Sequence, residues 1–437
     1  MNPKTSGYDI NTLINVRLSW FVSQIGAREH YATPRALHAR GELQTLYTEA
    51  WCRWGAGLLS RGPGAARALA GHRHPDIPGS RVVAFTFRAL LDDFRRACSP
   101  TLATEERYRE FMRVGLEFAN RVNRHLLRRP LDPQRHAFFG YSTGCLETLV
   151  PLHDRGIFTV VDQIDPARVH EQMVFEEAQR WPGWQALPVR IPEDYYNRLA
   201  QEWKLANLVL VNSEWSKVAL VQQGVPAGKI IVVPPAYEPD AAPPQRRPRS
   251  NAERPLTVLW LGSVILRKGI QYLLQAAKRL SSTGVEFIVA GHLGIAEGII
   301  SEAPVSVKFI GRVTRDRTAE VYRSADIFVL TTISDGFAIT QLEAMAHGLP
   351  VIASPNCGRV VDEGVDGLIV PARDAEALAA AIARLDGDRA LLAEMSVKAV
   401  AKSQRYSLDN FARTLLEQVG AQRTSISGAS RSGGSTP

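Results

Sequence analysis

The sequence predicts an α/β protein made of two doubly wound parallel sheets that face a central cleft. Three observations predict it. Short apolar runs alternate with helical patterns in both halves of the chain, as strands buried on both faces of a parallel sheet require. The 437 residues are too many for a single hydrophobic core. Between the halves, Pro234-Pro-Ala-Tyr-Glu-Pro-Asp-Ala-Ala-Pro-Pro-Gln-Arg-Arg-Pro-Arg-Ser-Asn-Ala-Glu-Arg-Pro255 carries proline at a density that excludes helix and sheet.

Taken in order, the first half shows buried-strand patterns at 12–21, 43–47, 137–141, 158–161, 208–211 and 230–233. A short helix is predicted over 34–39. A longer one covers 104–129, where Tyr108, Phe111, Met112, Phe118, Ala119, Val122 and Leu126 form one apolar stripe. Glu105 and Glu106 at its start and Arg128 and Arg129 at its end suit the helix dipole. In the second half, strands at 256–262, 285–290, 307–310, 327–331, 351–353 and 367–370 alternate with helices at 269–280, 316–324, 339–347 and 374–385. Asp374 is the expected N-cap of the last. Phe411, Leu415, Leu416 and Val419 lie on one face of a closing helix. The expected division is an N-terminal domain over 1–238, a linker over 239–255 and a C-terminal domain over 256–403. A helix over 404–422 then packs back on the first domain, and a Ser/Gly-rich tail over 423–437 is too poor in apolar residues to fold.

A hydrophobic content of 45% and a charged content of 22% exclude a disordered chain. No apolar run approaches the roughly 18 residues that span a bilayer, and the N-terminus lacks the regions of a signal peptide. Cys52, Cys98, Cys145 and Cys357 show no metal or redox spacing and read as buried thiols in a reducing cytoplasm. Residues 61–135 hold fifteen Arg, no Lys and eight acidic residues, so this stretch supplies +7 of the net +8. Such a stretch either draws the chain to an anionic membrane surface or is a solvated face. No nucleic-acid motif accompanies it, so nucleic acid is not an expected partner. The His72-Arg-His-Pro cluster lacks ligand spacing and no carboxylate cluster stands out, so no metal or other cofactor is expected.

Two constellations carry chemistry. In Ser334-Asp335-Gly336-Phe337-Ala338-Ile339-Thr340-Gln341-Leu342-Glu343, a strand turns through a Gly-Phe loop into a helix. Free backbone N–H groups and the helix dipole make that turn an anion seat. Asp335 and Glu343 flank it with seven residues between them. A ligand that carries hydroxyls as well as phosphate would occupy both; Glu343 could otherwise be a solvated helix-face carboxylate. The second constellation is Gly262-Ser263-Val-Ile-Leu-Arg267-Lys268-Gly269, a strand end followed by a basic pair. Gly262 permits close backbone approach and Lys268 supplies point charge. Basic residues before a helix are commonly only solvated; in one parallel sheet, however, both loops leave the same edge and converge.

With these residues the chain resembles the retaining glycosyltransferases of family 4, which have the two-domain GT-B fold of facing Rossmann-like halves. The family motif Glu-Gly-Phe-Gly…Glu is matched in register by Asp335-Gly336-Phe337-Ala338…Glu343, and the following Leu-Glu-Ala-Met-Ala-x-Gly-x-Pro-Val-Ile is matched over 342–352. Phe309-Ile310-Gly311-Arg312-Val313, Leu208-Val-Leu-Val-Asn212-Ser213-Glu214-Trp215-Ser216-Lys217 and Gly224-Val-Pro-Ala-Gly-Lys-Ile-Ile-Val-Val-Pro234 extend the likeness. It implies that Glu343 binds the ribose of a nucleotide sugar, that Lys268 contacts its diphosphate, and that Arg312 and Val313 lie beside its base. Asp335, with the backbone of Gly336, Phe337, Ala338 and Ile339, would hold donor sugar and phosphates.

Three positions depart from the family pattern. Asp335 replaces Glu, shortening the carboxylate's reach by about 1.5 Å. Ser263 replaces a diphosphate-binding Arg, a role that falls to Arg267. Asp162 stands where many members place a histidine near the donor sugar. Asp335, Lys268 and Asp162 are the candidate catalytic residues. On the acceptor side, the loop around Gly26 and the Tyr141-Ser-Thr-Gly144 turn either face the acceptor and phosphate or are structural strand-to-helix turns.

The resulting expectation is a hexosyltransferase that uses an NDP-sugar and a sugar or lipid-linked acceptor, works without metal, and serves surface polysaccharide or glycolipid assembly. It would be cytoplasmic, with peripheral contact at the inner membrane face. The alternatives are a GT-B epimerase or phosphorylase, or a non-catalytic protein with a degenerate donor site.

Overall fold

The computed structural model describes residues 17–59, 61–62, 64–87, 104–239 and 254–432. The 12–16 portion of the first expected strand, most of the 239–255 linker and residues 433–437 lie outside these. Two wholly parallel sheets form. The first contains β1 (Ser19–Gln24), β2 (Leu43–Thr48), β3 (Val82–Ala84), β4 (His136–Tyr141), β5 (Phe158–Gln163), β6 (Leu208–Val211) and β7 (Ile230–Val232), in the order β3-β2-β1-β4-β5-β6-β7. The second contains β8 (Thr257–Leu261), β9 (Glu286–Ala290), β10 (Val307–Gly311), β11 (Ile327–Leu330), β12 (Val351–Ala353) and β13 (Gly367–Ile369), in the order β10-β9-β8-β11-β12-β13. Strand order reverses between β1 and β4 in one sheet and between β8 and β11 in the other. The crevices at the carboxyl ends there are where such sheets take ligands.

Each sheet is buried on both faces by helices. In the second half one core gathers Val258, Trp260, Leu273, Phe287 and Val329, and the other Leu259, Phe328, Leu342, Met345 and Val351. Asp374 caps the Ala375–Gly387 helix by accepting from the Ala377 amide at 2.8 Å. The closing helix, Leu408–Ser432, buries Phe411, Ala412, Leu415 and Val419 in the core of the first half. It therefore belongs to that half although it follows the second in sequence. It continues past residue 422 into the stretch read as a disordered tail, because a helix anchored by packed early turns propagates at one backbone hydrogen bond per residue.

The Thr104–Leu126 helix differs from its predicted stripe. Phe118, Ala119, Val122 and Leu126 are buried, but Phe111 is 47% exposed, so only the C-terminal turns face the core. Its charge is also partly self-neutralised. Arg109 pairs with Glu105 at 2.6 Å, Arg113 with Glu110 at 2.6 Å and Arg121 with Glu117 at 2.8 Å. Among the described residues no helix is long and apolar enough to cross a membrane.

The helix Arg168–Arg180, which sequence periodicity did not reveal, leaves β5 and crosses to the second half. There the fully buried Glu177 accepts hydrogen bonds from Gln271 at 2.9 Å, Arg373 Nε at 2.8 Å and the Tyr272 hydroxyl. Trp184 packs on the second core and its carbonyl accepts from the Ala296 amide at 2.6 Å. A carboxylate this deep is tolerable only with such donors around it.

Candidate active site

The loops after β8 and β11 meet at the second switch point. Gly269 explains how. Its φ is +78° and a Cβ there would come 1.9 Å from the Thr331 carbonyl oxygen, so only glycine lets the backbones touch. The Thr331 hydroxyl donates to the Gly269 carbonyl at 2.9 Å and the Ile333 amide to the Arg267 carbonyl at 2.8 Å. Arg267 and Lys268 are thereby laid along the Asp335 loop. The Lys268 ammonium pairs directly with the Asp335 carboxylate. Arg267 Nη1 lies 3.6 Å from the same oxygen and donates to the Ser334 carbonyl at 3.2 Å. Burial alone would raise the Asp335 pKa; Lys268 first and Arg267 next outweigh it and hold the carboxyl below its usual value.

Next to this cluster, the amides of Gly336, Phe337, Ala338 and Ile339 make no hydrogen bond to protein among the described residues. They are the donors expected of an anion seat. Ala338 occupies φ +61°, a left-handed conformation, in a motif where the resembled family has glycine. The Phe337 side chain acts as a plug. It is buried against Gly358, where a Cβ would come 2.3 Å from the ring. One turn on, Glu343 is half-buried in the Thr340–Ala346 helix and accepts from the Tyr322 hydroxyl at 2.7 Å. Tyr322 stacks on His347 at 5.0 Å. Glu343 is thus an aimed carboxylate rather than a solvated one.

The rim continues across the sheet. A Cβ on Gly291 would come 1.7 Å from the Gly262 carbonyl, and the Gly291 amide donates to the Gly311 carbonyl at 2.8 Å. That contact knits the loops after β8, β9 and β10 and sets Arg312 and Val313 on the same edge as Lys268. Arg312 and Ser263 are exposed.

The first half closes on this loop. A Cβ on Gly336 would come 2.1 Å from the Ile164 carbonyl, just beyond β5. Ser213 Oγ donates to the Gly336 carbonyl at 2.6 Å. The buried Ser334 hydroxyl lies 3.1 Å from His170 Nδ1 and 3.4 Å from Trp215 Nε1. Burial and Arg267 lower the His170 pKa to about 4 against the pull of Asp165 and Asp335, so the ring is neutral at neutral pH. His170, Ser334 and Tyr322 carried no spacing signal in the sequence. Asp162 is the next-to-last residue of β5, on the same floor; burial and the charge of Glu29 push its pKa well up, opposed by Arg28.

The two acceptor-side loops resolve differently. Gly26 provides a turn at φ +79°. Tyr141 is buried and its hydroxyl donates to Thr33 Oγ1 at 3.3 Å, which fits the structural-turn reading of this segment. The turn that follows it is already filled. Glu202 accepts from the amides of Thr143 at 2.6 Å, Leu146 at 3.1 Å and Cys145 at 3.2 Å. Burial raises the Glu202 pKa to about 7 against those hydrogen bonds.

Residues 255–388 match the family model described as Glycosyl transferases group 1. The amylovoran biosynthesis glycosyltransferase AmsK of Erwinia amylovora is 28% identical over 48% of this chain and 54% of its own. A D-inositol 3-phosphate glycosyltransferase of Corynebacterium urealyticum is 28% identical over 48% of this chain and 56% of its own. The chain thus spans about half the length of the curated relatives it matches. Among solved structures, sucrose-phosphate synthase from Thermosynechococcus elongatus superposes with a TM-score of 0.61 at 18% identity, covering 94% of this chain and 100% of that one. Anabaena HepE in complex with UDP superposes at 0.58 and 16% identity, covering 92% of this chain and 100% of that one. The fold is GT-B, and residues 255–388 of its second half match the group 1 glycosyltransferase model.

Proposed function

We propose that the protein is a retaining glycosyltransferase that moves a hexosyl group from a nucleotide-diphosphate sugar to an acceptor hydroxyl in surface polysaccharide or glycolipid assembly. The observation that carries this reading is the convergence of Lys268, Arg267 and four unpaired amides on Asp335 at the β8/β11 switch point, with Glu343 one turn away. Glu343, held by Tyr322, accepts the hydrogens of the ribose diol, each charge-assisted bond contributing about 1.5–3 kcal/mol. The diphosphate takes the place of the Asp335 carboxylate beside Lys268 and Arg267, and the amides of Gly336 to Ile339 complete its shell. Asp335, released from the lysine, turns to the sugar hydroxyls.

No side chain is assigned as a covalent nucleophile. The acceptor hydroxyl attacks the anomeric carbon on the face the diphosphate leaves, and the departing phosphate oxygen receives the proton. Lys268, Arg267 and the oriented amides stabilise the charge that grows on the leaving group, without a divalent cation. Contact of Gly336 with Ile164 and Ser213 excludes water from the donor side of the cleft. Peripheral attachment to the inner membrane face, through the arginine-rich N-terminal half, would bring the enzyme to a lipid-linked acceptor.

A thermal-shift screen of UDP, GDP, ADP and TDP tests the donor site. A nucleotide at 100 times its Kd adds about 2.7 kcal/mol to the stability of the folded state. At least one of the four is expected to raise the melting temperature, with EDTA leaving the shift unchanged, and Glu343→Ala is expected to abolish it. A full shift in that variant removes Glu343 from the ribose role.

A further inference from the structure

We propose that the groove between the Ile270–Arg279 and Glu297–Ser301 helices of the second half binds the hydrocarbon chain of a single-chain lipid with a zwitterionic phosphate–amine head. The site is separate from the cleft and independent of the donor-site reading above. The switch point lies at the carboxyl ends of the strands. The groove instead reaches Ser306, immediately before β10, at the amino edge of the same sheet.

One wall comes from a single helical face. Gln271, Leu274, Gln275, Lys278 and Ser281 recur at spacings of three and four residues, which stacks them along one side of the helix and its first following turn. Ten residues at the helical rise make this wall about 15 Å long. Ile299 and the Ala303-Pro304-Val305 turn form the other wall, and Trp184 packs across the inner end. Trp184 is held there from both sides. Its carbonyl accepts from the Ala296 amide at 2.6 Å, and the adjoining Gln185 Oε1 accepts from the Leu266 amide at 3.0 Å. The enclosed volume is about 450 Å³, within the range of small-molecule sites.

The shape and lining select a hydrocarbon chain. A narrow space of that length takes about 12 carbons of an extended chain. Trp184, Leu274, Ile299 and Ala303 offer it apolar contact along the way. Val305, on the rim, is a large apolar side chain left fully exposed. An occupant that covers it recovers apolar burial that the folded chain alone does not reach.

The polar groups select the head. Lys278 stands on one wall and Glu302 on the other, both exposed. Among the described residues neither side chain forms a hydrogen bond or an ion pair within 4.0 Å. The Ser306 Oγ, at the same end of the groove, is buried and makes no hydrogen bond. A purely anionic head would meet Lys278 but be repelled by Glu302, and a purely cationic head the reverse. A head with both charges satisfies the two walls together, its phosphate taking the lysine and the Ser306 hydroxyl and its amine the glutamate.

The test titrates the full chain by calorimetry with octyl-, decyl-, dodecyl- and tetradecylphosphocholine, each below its critical micelle concentration. The Kd is expected to fall about fourfold per added methylene up to dodecyl and to level off at tetradecyl, once the chain fills the groove. Ala303→Phe, which fills the groove, should weaken dodecylphosphocholine at least about 10-fold. Lys278→Glu should weaken it about 10-fold, and adding Glu302→Lys should restore it to within about threefold. Both charge changes lie at exposed positions, so they keep the test decisive if Ala303→Phe does not fold. Dodecyl maltoside, with the same chain and no charge, should bind more weakly and be indifferent to the exchange. Affinity that ignores chain length, that rises undiminished to tetradecyl, or that is unchanged in Lys278→Glu overturns the proposal. So does an Ala303→Phe variant that binds the lipid normally but sediments differently, since the groove would then belong to a second copy of the chain.

Discussion

The two switch points of this molecule are built alike and used differently. At each, a strand of a parallel sheet ends in a turn whose amides are not used by the sheet. After β4, the amides of Thr143, Cys145 and Leu146 are taken by Glu202 from a neighbouring helix. After β11, the amides of Gly336 to Ile339 have no protein partner among the described residues, and the nearby carboxylate of Asp335 is held by Lys268 instead. One seat is closed by the protein's own anion, whereas the other keeps its donors and adds two cations. Topology alone therefore marks a position where an anion can bind. Whether a ligand binds there depends on what the rest of the chain has already placed in it.

The contrast breaks most completely if the second seat loses its frame. Gly269→Ala would put a Cβ within 1.9 Å of the Thr331 carbonyl, at a φ of +78° that alanine resists. A loss of about 3 kcal/mol or more is expected in urea denaturation, together with the nucleotide thermal shift. Unchanged stability would mean that the two loops are not stapled at this glycine. The first seat is broken from the other side. Glu202→Ala leaves three amides, that of Cys145 buried and those of Thr143 and Leu146 partly so, without an acceptor and should cost about 2–3 kcal/mol. It should also turn a closed seat into an open one, so that sulfate restores part of the lost melting temperature in the variant and does little for the wild type. Equal response to sulfate in both proteins would sink the idea that Glu202 stands in for a bound anion.

This contrast also explains what was legible in the sequence. The second half was readable nearly strand for strand, because its strands are continuous apolar runs and its candidate site lies in two short contiguous motifs. Lys268, Asp335 and Glu343 sit on loops or helices that leave adjacent strands, so spacing and parallel order together placed them. The first half hid its chemistry. β3 is three residues long, too short to show a pattern, and the helix carrying His170 and Glu177 packs on the other half, so its buried face has no simple period. The turn after Tyr141 stayed open between two readings because nothing local reveals that Glu202, sixty-one positions later, fills it. The sequence gives no hint of the left-handed run over Glu29, His30 and Tyr31.

A pH titration sharpens the comparison at the point where the halves meet. His170 is neutral beside Ser334, with its pKa lowered from 6.5 to about 4 by burial and Arg267. The unfolded chain takes up this proton first, so stability falls as pH drops through the window from about 6.5 to about 4. His170→Gln should flatten that part of the curve. An unaltered slope would assign the acid sensitivity to other groups.

The smallest effect separates the resembled motif from this chain's version of it. Ala338 holds φ +61° in the position where the family pattern has glycine. A non-glycine residue there costs about 1–2 kcal/mol, part of which glycine returns through its greater freedom in the unfolded state. Ala338→Gly is therefore expected to stabilise the protein by at most about 1 kcal/mol in urea denaturation. Its effect on the site is the more telling readout. If the strained alanine holds the four amides in their binding arrangement, the glycine variant gains stability and loses nucleotide affinity. If the arrangement comes instead from the staple at Gly269 and the contact between Gly336 and Ile164, affinity stays constant while stability rises. The second outcome is expected, since both contacts are backbone to backbone and neither involves the Ala338 side chain.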